Sequence, residues 1–380
     1  MNKLEKIFIL YVLVLLAFLP ACSGSSATQS LVVQATSKPA IQLEPCRLGD
    51  IPAQCGKLSV YENRATNTGR MIDIHMAVIK ASGPNPAPDP IFYVAGGPGS
   101  SGINDAAYAL LVLKSAHEHR DLVLFDQRGT GQSHRMACPR QDDEKLGLVP
   151  FDDKMLQDLQ TCLEHLDGDP RAYTTAWGMD DLDDLRVALG YDQINLYGES
   201  YGPLAEQVYL QRHGNHVRTM TLEGVSLLDA HMFERMPRSS QEALDLLFAR
   251  CQADPACNAA YPNLSDELKA LIAQLEKQPV ELSLINPYTG QPVRLTREWL
   301  VLGIHNVIRD TPTAVLLPGL IHQAYLGDWS AVEKLLSNDF AAPRPEWSIM
   351  NLVILCHEDW ARTRREETTQ FSSGSYMGYE

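Results

Sequence analysis

Several common signatures are missing from this sequence of 380 residues. Positive charge is scarce: 32 Lys and Arg against 47 Asp and Glu give a formal net charge of −15, which repels the phosphate backbone of nucleic acids. No C-x-x-C pair of the zinc-binding type is present. The glycine run at residues 96–99 contains a proline where dinucleotide-binding loops need free amides. These absences predict no nucleic-acid partner, no metal and no cofactor.

The N-terminal apolar run, residues 7–19, is too short to cross a bilayer comfortably but has the length of a secretory signal. Lys3 and Lys6 precede it, and Leu19-Pro20-Ala21-Cys22 follows. This pattern resembles a bacterial lipoprotein signal, so we predict a signal peptide over residues 1–22 with lipid on Cys22. Cleavage after Ala21 without lipid, or an uncleaved anchor, is the alternative. The expected location is the cell envelope, anchored by lipid to a membrane and facing the periplasm, with Ser23 favouring the outer membrane, or else the secreted fraction.

Residues 23–45 consist largely of Ser, Thr, Gln, Ala and Pro, a composition that buries too little apolar surface to fold. We interpret them as a flexible tether.

An exported chain would lie in an oxidising compartment, where the cysteines beyond Cys22 can form disulfides. The close pairs Cys46/Cys55 and Cys251/Cys257 are predicted disulfides, and Cys138 with Cys162 is a third candidate. Spacing alone does not fix connectivity. Cys356 is left without a predicted partner.

The stretch that organises the rest of the chain is Gly198-Glu199-Ser200-Tyr201-Gly202. Residues 193–197 before it are predicted to form a short buried strand, and residues 204–212 after it have apolar side chains at helical spacing. A serine in a tight strand-to-helix turn takes a left-handed backbone conformation that presents its hydroxyl and requires small neighbours. Gly198 and Gly202 supply those neighbours.

Two further strands precede this turn. Residues 91–95 run into the glycine loop 96–99, and residues 122–125 run into Asp126-Gln127-Arg128-Gly129. An amphipathic helix, residues 179–190, then leads into the strand before Ser200. This alternation predicts an α/β fold with a parallel sheet covered by helices on both faces. Asp126 and Arg128 are expected to pair with each other and brace the loop.

The glycine loop, the Asp-Gln-Arg-Gly loop and the serine turn together resemble the α/β-hydrolase family of proline iminopeptidases and tripeptidyl aminopeptidases. The resemblance implies that Ser200 is a nucleophile and that the backbone N–H groups of Gly97 and Tyr201 form its oxyanion hole. It also implies a carboxylate that binds the free α-ammonium of a peptide substrate. Glu223 and Glu358 are the predicted acids for this role, each with a surface or bracing role as its alternative.

The chain is accordingly divided into a hydrolase core over residues 46–228, a mainly helical cap over residues 229–345 and the start of a return to the core over residues 346–380. A cap above Ser200 would restrict access to chain ends, which favours an exopeptidase. The helices of this insertion are equally compatible with a purely structural role.

Family members place the catalytic acid and histidine after the cap, in the order Ser, Asp, His. We identify neither in this sequence, and the later strands of the fold are missing from it as well. His357 is the one histidine on a segment expected to line the pocket, but its place in the chain order argues against a role as base. The predicted function is therefore a serine aminopeptidase acting on peptides. The alternatives are a truncated or inactive relative without a complete triad, or an esterase of the same fold, and the oligomeric state is not predicted.

Overall fold

The computed structural model describes residues 41–137, 153–229, 231–286, 290–341 and 349–378. The predicted signal peptide with Cys22, most of the predicted tether, and Cys138 lie outside these ranges. Within them, strands are numbered β1 to β9 and helices α1 to α14 in chain order. The strands are β1 Glu44–Leu48, β2 Ile51–Tyr61, β3 Met71–Ile79, β4 Ile91–Val94, β5 Leu122–Phe125, β6 Ile194–Glu199, β7 Val217–Glu223, β8 Val280–Ile285 and β9 Pro292–Leu295.

Seven strands form one sheet in the order β1-β2-β3-β5-β4-β6-β7. The half from β5 to β7 is parallel, as the alternation of apolar runs and helices predicts. The first three strands pair antiparallel with one another, and β3 pairs antiparallel with β5, so the sheet is mixed rather than wholly parallel. The difference follows from the connections, because β1, β2 and β3 are joined by short turns that cannot hold a crossover helix.

The central strands are hydrophobic because both of their faces are covered. All four residues of β4 and of β5 are buried, and in β6 only Glu199 is not fully buried. One face packs through Phe92, Phe125 and Leu196 against one set of helices. The other packs through Tyr93 and Leu124 against another, so helices lie on both faces as predicted.

Helices flank the sheet and build the region after β7. Those associated with the sheet are α1 Ala106–Val112, α2 Lys114–His117, α3 Asp153–Glu164, α4 Thr175–Ala188 and α5 Gly202–His213. Those after β7 are α6 Met232–Ala253, α7 Pro255–Ala260, α8 Leu264–Lys277, α9 Arg297–Ile308, α10 Thr311–Ala314, α11 Leu317–Tyr325, α12 Ser330–Ala341, α13 Met350–Ile354 and α14 Arg365–Ser372.

The helical region after β7 has a hydrophobic core of its own. Leu244, Leu268, Leu271 and Ile321 are among its fully buried members, and the β8–β9 hairpin contributes Leu282. The residues assigned to a return to the core divide between the two clusters. Met350 and Ile354 in α13 pack with the sheet, whereas Tyr376 and Met377 pack with the helical region.

Two of the predicted disulfides lie wholly within the described ranges. Cys46 bonds Cys55 across the β1–β2 hairpin with their Cα atoms 5.8 Å apart, and Cys251 bonds Cys257 between α6 and α7 with a Cα separation of 5.1 Å. Cys162 is also disulfide-bonded. Cys356 is a free thiol, exposed near α13.

A search of the described helices for one both long and apolar enough to cross a membrane finds none.

Candidate active site

The turn at Ser200 has the strained geometry that its glycines predict. Ser200 has φ of 59°, in the left-handed region that side chains rarely adopt. A Cβ on Gly198 would lie 2.7 Å from the Gly202 carbonyl carbon, and a Cβ on Gly202 would lie 2.3 Å from the Val94 carbonyl oxygen. Both positions therefore require glycine, and the prediction of a sharp strand-to-helix turn is confirmed.

The glycine loop after β4 lies directly beside Ser200. β4 and β6 pair in parallel with Val94 opposite Gly198, so the two loops leave the same end of the sheet side by side. A Cβ on Gly96 would lie 3.2 Å from the Ser200 Cβ. Gly97, the next residue, has φ of 106°, which glycine alone takes readily. The loop that carries the predicted Gly97 donor is thus within contact distance of the exposed serine side chain.

Tyr201 immediately precedes helix α5, and a hydrogen bond anchors its side chain. Its hydroxyl is 2.6 Å from the Thr175 Oγ1 atom, and burial together with the nearby Glu358 carboxylate raises the pKa of the phenol. The backbone N–H groups of a helix's first turn have no acceptor within the helix, so the Tyr201 amide is free to point at a ligand. Anchoring the side chain fixes the direction of that amide.

Asp126 ties the glycine loop to the loop after β5. Its carboxylate accepts hydrogen bonds from Ser101 Oγ at 2.5 Å, from the Ile103 amide at 3.2 Å and from the Gln132 amide at 2.9 Å. A Cβ on Gly131 would come within 2.1 Å of this carboxylate, so the residue that faces it must be glycine. Asp126 therefore positions the loop that passes Ser200, and its role is structural as predicted.

The expectation that Asp126 pairs with Arg128 is wrong. Arg128 is buried and binds Asp181 of α4 through two nitrogens, with Nε–Oδ2 at 2.6 Å and Nη2–Oδ1 at 2.9 Å. It also donates to the carbonyl oxygens of Glu62 and Ala172. A buried guanidinium needs a partner for each donor, and a carboxylate in the adjacent helix satisfies more of them than the neighbouring Asp126.

Acidic and tyrosine side chains gather on the other side of Ser200. The Ser200 amide donates to the Glu223 carbonyl oxygen at 2.9 Å, so the end of β7 lies against the turn. The Glu223 carboxylate accepts a hydrogen bond from the Tyr197 hydroxyl. Glu199 lies close to the glycine loop, with Oε1 3.2 Å from the position of a Cβ on Gly96.

The same cluster continues to helix α1. Tyr93 Oη lies 3.4 Å from Asp105 Oδ2, and burial followed by the charge of Glu199 raises the pKa of Asp105 although the tyrosine hydrogen bond opposes the shift. Burial and the charges of Glu199 and Glu223 likewise raise the pKa of Tyr108. Negative charge is therefore concentrated here, and a cation would relieve it.

Glu358, the second predicted ammonium-binding acid, occupies a different position. Its Oε1 accepts from the Thr175 amide at 2.6 Å and its Oε2 from Thr175 Oγ1 at 2.5 Å. Both oxygens are thus engaged at the start of α4, where an acid stabilises the positive end of the helix. This contact matches the bracing role that was its alternative.

The hydrogen bonds that the described histidines make lead away from Ser200. His213 and His216 bind Asp180 and Asp183, His305 lies 2.6 Å from Ser240 Oγ, and His322 contacts Glu267. His357 is exposed. Within the described ranges, no histidine hydrogen bond to Ser200 is present, and the residue that takes its proton is not identified there.

Sequence reasoning missed three members of this region. Asp181 lies on the apolar face of α4 with Gly178, Leu182 and Leu185, and a charged residue at such a position is a signal of a buried partner. Asp105 precedes a short helix, and nothing in the surrounding sequence marks it as part of this region. Glu206 in α5 is fully buried, and neither of its carboxylate oxygens has a hydrogen-bond partner within the described structure.

Comparison with known proteins places this geometry in context. Residues 89–251 match the family model described as the alpha/beta hydrolase fold. The chain is 28% identical over 301 residues to the serine protease Hip1 of Mycobacterium tuberculosis, which covers 74% of this chain and 57% of that protein. It is 30% identical over 190 residues to the tripeptidyl aminopeptidase of Streptomyces lividans, covering 46% of this chain and 35% of that protein.

The chain thus spans about half the length of the curated relatives it matches. Among solved structures, a proline iminopeptidase-related protein of Thermus thermophilus aligns over 53% of this chain and 50% of that one, at 18% identity with a TM-score of 0.30.

Proposed function

Because this chain is an α/β hydrolase related to serine peptidases and aminopeptidases, we propose that it is a serine aminopeptidase that releases N-terminal residues or short peptides. One observation carries the proposal. Ser200 stands exposed at a left-handed turn between the glycine loop and Glu223. In this proposal Ser200 is the nucleophile, the amides of Gly97 and Tyr201 are its oxyanion donors, and Glu223 is the acid that binds the substrate amine.

The proposed reaction proceeds through an acyl-enzyme. Ser200 Oγ attacks the carbonyl carbon of the scissile peptide bond while a base takes its proton, and the N–H groups of Gly97 and Tyr201 stabilise the oxyanion. The tetrahedral intermediate collapses, the C–N bond breaks and the leaving amine takes up that proton. Water then attacks the ester carbonyl, which releases the N-terminal product and regenerates the hydroxyl.

Specificity for a free N-terminus would come from the acidic side of the site. Glu223 is exposed and lies at the turn, and Glu199 and Asp105 add negative charge behind it. An α-ammonium placed there gains charge-assisted hydrogen bonds, whereas a blocked N-terminus does not. Of the two predicted acids, Glu223 fits this role better, because Thr175 engages both carboxylate oxygens of Glu358 whereas Tyr197 engages only one of Glu223.

The second candidate is a chain that binds peptide ends without cleaving them. It is favoured by the hydrogen bonds of the described histidines, none of which reaches Ser200. An esterase of the same fold is a third outcome that the experiment below resolves.

The test compares three substrates: an alanyl or prolyl anilide with a free amine, the same anilide with a blocked amine, and a blocked ester. We expect the free anilide to be cleaved fastest. Glu223→Gln should raise KM for it by about 10-fold, the equivalent of one lost ion-pair contact, with little change for the ester. Glu44→Gln, at the opposite edge of the sheet, is the matched control and should change neither.

Preference for the ester with no effect of Glu223→Gln would make the protein an esterase. Binding of a free-amine peptide, measured by calorimetry, without turnover would identify a binding protein and contradict the catalytic proposal.

We propose export and lipid attachment at Cys22 as the location. The N-terminal lysines, the short apolar run and the following cysteine support it, and the disulfides Cys46–Cys55 and Cys251–Cys257 suit an oxidising compartment. The wild-type protein should incorporate radiolabelled palmitate and sediment with membranes, and Cys22→Ala should do neither. Membrane association that survives in Cys22→Ala would contradict the lipid anchor.

A further inference from the structure

Three side chains that commonly bind metals meet at the end of helix α5 distant from Ser200. Asp183 lies in α4, His213 is the last residue of α5, and His216 follows in a short 3₁₀ turn. One ligand atom from each lies within 4.8 Å of the other two. Among the residues that the structure describes, no other group of three such side chains has this spacing.

The Asp183 carboxylate lies between the two imidazoles. His216 Nδ1 is 2.8 Å from Oδ1 and His213 Nδ1 is 3.7 Å from Oδ2. The two rings lie 6.3 Å apart between centroids and are inclined by only 13°. The carboxylate side chain is 14% exposed, so the cluster is reachable from solvent yet shielded enough to hold its geometry.

A hydrogen bond to Asp180 fixes the orientation of the His213 ring. Its Nε2 lies 2.9 Å from Asp180 Oδ1, and Arg212 holds that same carboxylate through Nε at 2.8 Å and Nη2 at 2.6 Å. A carboxylate that accepts the Nε2 proton leaves the lone pair on Nδ1, which is the nitrogen that faces Asp183. Metal-binding histidines are typically held by such an outer carboxylate.

We propose that Asp183, His213 and His216 bind a divalent transition metal of the zinc type. Two imidazole nitrogens and one carboxylate oxygen suit Zn²⁺, Co²⁺ or Ni²⁺, whereas Mg²⁺ and Ca²⁺ prefer oxygen ligands throughout. Water would complete the coordination. Helix α5 has 12 residues and is therefore about 18 Å long, so the metal would link α4 to α5 and take no part in the chemistry at Ser200.

Two neighbouring groups compete with a metal for Asp183 and limit the affinity: the Tyr209 hydroxyl, which donates to Oδ1 at 2.9 Å, and Arg186. Arg186 donates through Nε to Asp183 Oδ1 at 2.7 Å, and its Nη2 lies 3.5 Å from His216 Nε2. A metal ion would share the carboxylate with this guanidinium. We therefore expect binding that is reversible and weaker than at a closed four-ligand zinc site.

The experiment uses the full chain without an affinity tag, stripped of metal by a chelator. Co²⁺ is the probe, because a four- or five-coordinate protein site gives it visible absorption bands far more intense than the weak band of aqueous Co²⁺. We expect a band that saturates at one equivalent, disappears when Zn²⁺ is added, and accompanies an upward shift of Tm.

Matched variants locate the site. His213→Gln and His216→Gln should each weaken Co²⁺ binding by more than 10-fold. Asp180→Asn, which removes only the outer carboxylate, should weaken it by about 10-fold to 100-fold. His165→Gln, an exposed histidine in the turn after α3, is the control and should bind as the wild type does. Circular dichroism of each variant confirms folding, so that loss of binding is attributable to the ligand.

Two results would overturn the proposal: no saturable Co²⁺ band at neutral pH, or equal affinity in the His213→Gln/His216→Gln double variant. A change in the rate of Ser200 acylation on adding Zn²⁺ would contradict the purely structural role. Failure of the aminopeptidase assay would leave this outcome unaffected, because the readout is metal binding.

Discussion

The two sides of Ser200 differ in how the rest of the chain supports them. On the side of the β4 and β5 loops, Asp126, Arg128 and Asp181 are almost completely buried, and the charged group of each is hydrogen-bonded. On the β7 side, Glu223 is exposed and the following Val225 and Leu227 are 51% and 53% exposed. We interpret this difference through the proposed function: the buried ion pairs would fix the position of Ser200, and the open side would admit and bind the substrate.

The largest effect is expected from the buried side. Asp181→Asn removes the carboxylate partner of the fully buried Arg128, whose charge is left uncompensated, and one of the two carboxylates that Arg64 contacts. The free energy of unfolding in urea should fall by about 3–5 kcal/mol. Asp167→Asn, in the exposed ion pair with Arg70, is the matched control and should unfold at nearly the wild-type midpoint. Equal losses in the two variants would refute the distinction between the two kinds of pair.

Glu206 tests whether the buried side contains one uncompensated group. Burial raises the pKa of its carboxyl to about 9. The folded state therefore retains a proton that the unfolded state releases, and stability falls as pH rises from about 4.5 to about 9. Glu206→Gln cannot titrate, so it should gain about 3 kcal/mol relative to the wild type at pH 7 and nothing below pH 4 or so. Denaturant unfolding across this range measures the difference, and parallel pH profiles would show that Glu206 has a partner.

Gly202→Ala tests the turn itself. The added Cβ would lie 2.3 Å from the Val94 carbonyl oxygen, a backbone atom that cannot move without shifting β4. We expect a loss of about 1–3 kcal/mol and slower acylation of Ser200. Gly303→Ala makes a useful comparison, since Gly303 lies in helix α9 without a positive φ and has open space at its Cβ position. Unchanged acylation in Gly202→Ala would mean that the strained turn is not what presents the serine.

The smallest effect distinguishes the two predicted acids. Glu358→Gln weakens the hydrogen bonds to Thr175 at the start of α4, which should cost about 1–2 kcal/mol of stability. KM for the free-amine anilide should not change. A rise in KM matching that of Glu223→Gln would move the ammonium site to Glu358 and undo the assignment of the open side.

Local signals in the sequence were enough to predict the nucleophile turn. Gly198, Gly202 and a central Ser200 specify a backbone that few other residues permit, so the geometry follows without knowledge of distant contacts. The α/β sheet was likewise predictable, because the continuous apolar runs of four residues in β4 and β5 indicate buried strands.

Partners far apart in the chain were not predictable. Arg128 was expected to pair with Asp126, two residues away, but its partner Asp181 is 53 residues away. His213 and His216 contact Asp180 and Asp183, which lie 33 residues earlier in the chain and which the packing of α4 against α5 brings near. Helical periodicity shows which face of a helix is buried but not which charge on another helix meets it.

The most direct measurement of the central claim is the reaction of the intact protein with a fluorophosphonate, followed by mass spectrometry of its peptides. The account predicts a single adduct on Ser200 that Ser200→Ala abolishes and His357→Ala leaves unchanged. An adduct that persists in Ser200→Ala, or one mapped to another residue, would contradict the assignment of the nucleophile.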